Sequence, residues 1–170
     1  MRLCMPVQDD FYKAVLDHLY DGVYFVDKDR RITYWNQGAE RITGYRAKDV
    51  VGLSCADNLL MHVDSAGNLL CLNGCPLLAS IQDGEVHEAP VFLHHAKGHR
   101  VPVLVRATPL RNEEGEIIGA VESFSDNSIL VNTQKLADEL YLAANQDALT
   151  GIANRRGIQA LLEAVYFETT

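Results

Sequence analysis

Apolar positions along the chain fall into two rhythms, one of about four residues and one of two. In QDDFYKAVLDHLYDG (8–22), Phe11, Val15 and Leu19 recur one turn apart. That spacing predicts a helix with Asp9 or Asp10 at its start and Gly22 just past its end. GVYFVD (22–27) and RITYWN (31–36) are β-branched and aromatic around Lys28-Asp29-Arg30, which predicts a hairpin. NQGAERITGYRAKDVVG (36–52) reads as short, mixed and helical, with Asn36 as its cap and Gly44 as a stop. Residues 53–75 carry no clean period. Pro76 then opens PLLASIQD and Gly84 closes it, the usual order of proline inside a helix start and glycine beyond its end.

The rhythm returns to two in HEAPVFLHHAKG (87–98), HRVPVLVRATPLR (99–111) and GEIIGAVESFSDN (115–127), separated by turns at Lys97-Gly98 and Asn112–Gly115. Pro90, Pro102 and Pro109 belong at edges or bulges, because proline has no N–H for a ladder. Two strands, short helices and three hairpin-joined strands predict an α+β fold, an antiparallel sheet with helices on one face. SILVNTQKLADELYLAANQD (128–147) reads as one long helix. Ile129, Thr133, Leu136, Leu140 and Ala143 alternate spacings of four and three, a heptad seam suited to pairing with a second copy. A helix packed on its own sheet is the competing reading of that stripe.

Composition narrows the class. The 170 residues are 48% hydrophobic and 22% charged, which suits a packed core. A net charge of −8 gives no electrostatic footprint for nucleic acid or for an anionic membrane surface. The N-terminus has no signal-peptide pattern, and no run approaches the roughly 20 apolar residues of a membrane span. A cytoplasmic chain is expected, so Cys4, Cys55, Cys71 and Cys75 are thiols or metal ligands by default.

DGVYFVDKDRRITYWNQGAERITGY resembles the opening of the PAS sensor fold, with Asp21-Gly22, Asn36, Ala39, Glu40 and Gly44-Tyr45 at matching places. NEEGEIIGAVESFSDNS resembles its closing strand, with Gly115 and Gly119 four apart. Asp126 stands where an Asp-Ile-Thr triplet joins a PAS core to its output helix, and here the triplet is Asp126-Asn127-Ser128. The resemblance implies a five-stranded antiparallel sheet covered on one face by short helices, then a C-terminal linker helix.

Asp147-Ala148-Leu149-Thr150-Gly151 followed by Asn154-Arg155-Arg156 resembles the start of GGDEF domains, which condense two GTP into cyclic di-GMP. In that family the Asn of the Asn-Arg-Arg run contacts guanine, so Asn154 is the matching position. A carboxylate nine residues on shares the role, and here it is Glu163 where Asp is usual. The Gly-Gly-Asp/Glu-Glu-Phe run and an acidic pair for Mg²⁺ are not in the sequence, so the chain itself is expected to be catalytically silent. The resemblance implies four segments: 1–21 a flanking helix, 22–127 a PAS sensor, 128–147 a signalling helix and 148–170 the start of a truncated GGDEF domain. It further implies a homodimer formed through the flank and linker helix, with Asp126, Leu136 and Leu140 relaying the signal. The parent protein would be a diguanylate cyclase, with a ligand-free PAS interaction domain as the alternative.

Cys55, His62, Cys71 and Cys75 cluster in the segment without periodicity. Cys71 and Cys75 bracket the turn Asn73-Gly74, and three sulfurs with an imidazole suit a thiophilic ion such as Zn²⁺. Structural thiols in a core are the other reading. Cys75 precedes Pro76, and the partial charge at that helix start is expected to lower its pKa. Cys55 sits near the reactive cysteine of flavin-binding LOV domains, but the residues around it depart from that motif, and neither flavin nor haem is expected. His94 and His95 point to opposite faces of a strand, and His99 lies across the turn, able to pair with one of them.

Overall fold

The computed structural model describes residues 8–55, 57, 59–147 and 150–159, which leaves Cys4 and Glu163 outside the described residues. The chain divides into two units, Met1–Ser128 and Ile129–Thr170. In chain order the first holds α1 (Gln8–His18), β1 (Gly22–Asp27), β2 (Ile32–Trp35), α2 (Gln37–Thr43) and α3 (Ala47–Val50). After them come α4 (Pro76–Asp83), β3 (His87–His94), β4 (Arg100–Arg111) and β5 (Ile117–Asp126), and α5 (Ser128–Asn145) leads into the second unit. The five strands form one sheet in the order β2-β1-β5-β4-β3, every neighbouring pair antiparallel.

The expected strands are all present. α1 ends at His18, short of the expected end just before Gly22. Gly44 is the stop its position implied: its φ of 76° takes the left-handed turn that ends α2. The three prolines sit where a missing N–H costs no ladder bond. Pro90 lies on the edge strand β3, Pro102 lies one residue before the β4–β5 pairing begins, and Pro109 lies beyond the end of the β3–β4 pairing.

Strand parity places one row of side chains beneath the helices. Tyr24 and Val26 of β1, Val103, Val105 and Ala107 of β4, and Ala120 and Phe124 of β5 are all buried. Leu77 of α4, Ala39 of α2, Val50 of α3 and Leu60 of the irregular segment close over them. Asn36 holds the entry to this layer. Its Oδ1 accepts from the Val23 and Ala39 amides and its Nδ2 donates to the Leu16 and Asp21 carbonyls, so one buried side chain ties α1, β1 and α2 together.

In the second unit, α5 buries none of its side chains. The heptad-seam residues Ile129, Leu136 and Leu140 are 84%, 56% and 62% exposed. Gln146 and Ala153 form an isolated antiparallel bridge beyond the helix. No described helix is long and apolar enough to cross a membrane.

Candidate functional site

The inward face of the sheet carries one acid. Glu122 shares the parity of Ala120 and Phe124, so the alternation of β5 directs it into the core, where it is 1% exposed. Tyr24, its cross-strand partner on β1, donates its hydroxyl to Glu122 Oε1 at 3.0 Å. His62, also buried, brings its Nε2 to 3.9 Å from the same oxygen. That separation is too long for a hydrogen bond. Among the described residues, His62 Nε2 and Glu122 Oε2 are buried side-chain polar atoms without a hydrogen-bond partner, an arrangement folded proteins seldom keep without a use.

Burial decides the charge on both groups. It pushes the Glu122 carboxyl up to about 7, against a smaller opposing pull from the Tyr24 hydroxyl. It pulls the His62 imidazole down to about 4, with Arg100 adding to the effect. Between those values both groups are neutral, so their 3.9 Å approach is a polar contact and not an ion pair.

His62 owes its position to a bent segment. Met61 adopts φ 43°, a left-handed conformation that side-chain-bearing residues rarely take. Its carbonyl accepts from Arg100 Nη1. On either side, the His94 amide donates to Leu60 O and the Leu70 amide donates to His62 O. The 60–63 stretch is thus pinned against β3 although it has no helix or strand period of its own.

Cys55, Cys71, Cys75 and His62 do come together. With Tyr24 and Arg30 they line a single cavity of about 10 Å³, room for one water-sized group. The Asn73-Gly74 turn, with Gly74 at φ 89°, brings Cys71 and Cys75 to this cavity as its sequence implies. Sharing a cavity is less than sharing an ion. Among the described residues no three His, Cys, Asp or Glu side chains stand where they could hold one metal ion. Burial raises the pKa of all three thiols. The four residues are arranged as a polar core and not as a tetrahedron. The expectation that Cys75 would be acidified is corrected here. Cys75 is the N-cap residue of α4 but makes no side-chain capping bond. Desolvation outweighs the pull of the Leu77 and Leu78 amides and raises its pKa.

The histidine cluster of the β3–β4 turn separates into two. His94 Nδ1 and the Tyr45 hydroxyl are 3.1 Å apart, while the His95 and His99 rings stack with centroids 4.3 Å apart. At the junction with α5, Asp126 Oδ1 accepts the Ser128 amide at 2.8 Å, so the carboxylate caps the helix start. Leu136 and Leu140 lie exposed further along the helix.

In the second unit the Thr150 amide and hydroxyl both donate to Asp147 Oδ1 at 3.0 Å, and Gly151 at φ 68° completes the turn. Asn154 Oδ1 accepts the Gly157 amide, capping the helical turn at 155–159. Its Nδ2 donates to the carbonyls of Ala144 and Gln146. Both polar ends of Asn154 are engaged within the chain in this conformation.

Two groups escaped the sequence reading, Tyr24 and Glu122. The signal for Glu122 was parity, since Ala120, Glu122 and Phe124 must share a face whichever way the strand is turned.

Comparison with known proteins agrees with this architecture. The chain is 27% identical over 151 residues to the probable diguanylate cyclase DgcE of Escherichia coli, covering 86% of this chain and 13% of that protein. It is 26% identical over 144 residues to the signal transduction histidine-protein kinase AtoS of the same organism, covering 82% of this chain and 22% of the kinase. The chain therefore spans less than a quarter of either relative. Among solved structures, a PAS domain from Colwellia psychrerythraea superposes with a TM-score of 0.57 at 19% identity, over 69% of this chain and 94% of that one. A family model described as the PAS fold matches residues 16–131. With its five-stranded antiparallel sheet and short covering helices, the chain belongs to the PAS fold family.

Proposed function

We propose that this chain is the sensory and dimerising input module of a cytoplasmic diguanylate cyclase. In this reading the PAS core around Glu122 and His62 registers a ligand or redox change, α5 transmits it, and cyclic di-GMP synthesis is the output. The observation that carries the reading is the stretch from Asp126 to Asn154. A helix capped by Asp126 runs for 18 residues without burying a side chain. It is followed by Asp147, Thr150 and Asn154, which belong to the stretch that resembles the front edge of a GGDEF domain. Similarity to the probable cyclase DgcE supports the same reading. Paired cyclase domains must face each other, so a helix that sets their relative rotation controls the rate.

A kinase output is the competitor, since the similarity to AtoS is of the same strength. Fusing residues 1–157 in frame to the remainder of a GGDEF domain tests the assignment. Cyclic di-GMP synthesis that changes when the PAS core is altered supports it, and synthesis indifferent to the core counts against it. The unfused chain, incubated with GTP and Mg²⁺, is expected to form no cyclic di-GMP.

The small core cavity favours a second reading, an interaction and dimerisation domain that carries no ligand. Native mass spectrometry with elemental analysis of the freshly purified chain separates the two. A bound small molecule or metal supports the sensor, and a mass equal to the polypeptide supports the ligand-free domain.

A further inference from the structure

We propose that the concavity lined by Arg41, His95, His99, Arg100 and Ser128 binds the oxyanion head of a small molecule, a phosphate or a carboxylate. This is a surface site, separate from the core cavity, with an open volume of about 300 Å³. Such a volume admits an oxyanion and several further heavy atoms.

The chemistry of its walls is unlike the rest of the molecule. The chain carries a net charge of −8, yet two guanidinium groups and two imidazoles from three separate segments line this one depression. Neither arginine is neutralised. The ion pairs among the described residues are His87–Asp83 and Arg106–Glu88, and neither involves Arg41 or Arg100. Each arginine is instead tethered to a backbone carbonyl. Arg41 donates to Tyr20 O with its guanidinium 4.4 Å from the centroid of the Tyr20 ring, and Arg100 donates to Met61 O. A tethered fork with spare donors is already ordered for a planar oxyanion, which reduces the entropy lost on binding.

His95 contributes in the same sense. Its Nδ1 accepts the Lys97 amide at 3.0 Å, which leaves the proton of the neutral ring on Nε2. Asp126 is the one carboxylate lining the concavity, and its Oδ1 is occupied by the Ser128 amide. Two permanent positive charges against one negative leave the depression cationic. Because Asp126 and Ser128 form part of the wall, an occupant sits against the first residue of α5. The binding claim does not depend on what lies downstream of that helix.

The test titrates the 170-residue chain with inorganic phosphate and, separately, with succinate, against sodium chloride at matched ionic strength, following backbone amide resonances. Saturable shifts around His99, Arg100 and Asn127 with either oxyanion are expected, and the stronger of the two identifies the head group. Arg41→Gln and His99→Gln are each expected to weaken binding by about tenfold, while Arg106→Gln, which pairs with Glu88 and does not line the concavity, leaves it unchanged. Should Arg41→Gln disturb the fold, His99→Gln decides the matter, because its side chain packs on the His95 ring and not in the core. The proposal is overturned if neither oxyanion gives a saturable response, if chloride reproduces it, or if folded variants bind as the natural chain does.

Discussion

Tyr24 and Glu122 are directly opposed on β1 and β5, and the tyrosine hydroxyl donates to the carboxyl across the strand pair at 3.0 Å. The Tyr24 ring stands 5.3 Å from Trp35 and 6.3 Å from Phe124. The acid therefore meets its one hydrogen-bond donor inside an aromatic cluster. A carboxyl in that position is held by the sheet's register, and any change in how β1 meets β5 alters its environment.

Removing the donor is expected to make Glu122 a weaker acid still. The hydroxyl favours the charged form and so opposes the dominant effect of burial. In Tyr24→Phe the infrared carbonyl band of the protonated carboxyl should persist to higher pH than in the natural chain. Glu122→Gln should abolish the band and so identify it. An unchanged midpoint in Tyr24→Phe would show that the hydrogen bond does not act on the proton.

Glu122 and His62 make opposite demands on pH. Glu122 titrates near 7 in the fold against 4.5 ordinarily, so its contribution to stability is fully present below pH 4.5 and is lost as pH rises to 7. His62 titrates near 4 against 6.5, so its contribution is present above pH 6.5 and is lost as pH falls toward 4. Each slope is at most about 1.4 kcal/mol per pH unit, and the two cancel where the windows overlap. Glu122→Gln removes the Glu122 slope and leaves that of His62, so its stability relative to the natural chain is expected to rise by about 3 kcal/mol from pH 4.5 to pH 7. His62→Gln should show the reverse, falling relative to the natural chain between pH 4 and pH 6.5. Urea unfolding followed through the fluorescence of Trp35, the single tryptophan, measures both. Parallel pH profiles for all three proteins would refute the assignment.

Asn36→Ala is expected to be among the most damaging single substitutions in the first unit. Four hydrogen bonds end on this side chain, which is fully buried. Its loss leaves the Val23 and Ala39 amides and the Leu16 and Asp21 carbonyls without their partner. A destabilisation of about 3 kcal/mol or more follows from that count. Asn36→Asp should cost less than the alanine, because it keeps the acceptor and loses the two donated bonds. Equal losses in the two variants would mean that the acceptor role is unimportant.

Asn36 also shows what kind of information the sequence carried. A polar residue before a helical run, with Gly44 eight residues on, is a local signal, and local signals survive translation into structure. The alternation in β1, β4 and β5 is equally local and set the sheet. The core site was not local. His62 lies in a stretch held by the Arg100 guanidinium on Met61 O and by the His94 amide on Leu60 O, neither of which has a sequence period. Glu122 was hidden by the ordinary habit of reading a charged strand residue as solvent-facing, although Ala120 and Phe124 on the same face argued otherwise. The acidity of Cys75 was misjudged because a helix start is visible in sequence and burial is not.

That misjudgement yields a measurable ordering of the thiols. Burial raises the pKa of Cys55, Cys71 and Cys75 alike, but Cys55 is buried whereas the other two are partly accessible. Iodoacetamide at neutral pH is expected to alkylate Cys71 and Cys75 slowly and Cys55 slowest of the three. The Cys55 rate should recover by about a hundredfold or more in denaturant. Peptide mapping over a time course distinguishes the sites. A Cys75 that reacts faster than the denatured thiol would restore the view that the helix start activates it.

The exposed seam of α5 makes the proposed dimer testable without knowledge of any ligand. Leu136 and Leu140 are more than half exposed, and no side chain of the helix is buried within the chain. A stripe of that kind is stabilised only by a partner. The natural chain is therefore expected to sediment as a dimer. Replacing both leucines by glutamate sets carboxylates against each other across the seam and should weaken association by about a hundredfold or more. The fluorescence of Trp35, 3% exposed in the core of the first unit, should not change, because the substitutions lie outside that unit. A monomeric natural chain would remove the signalling helix as a dimer element, and a persistent dimer in the double variant would move the interface elsewhere. The exposed Phe11 and Val15 on α1 are the next positions to substitute in that case, since they form a further apolar helix face left open by the fold.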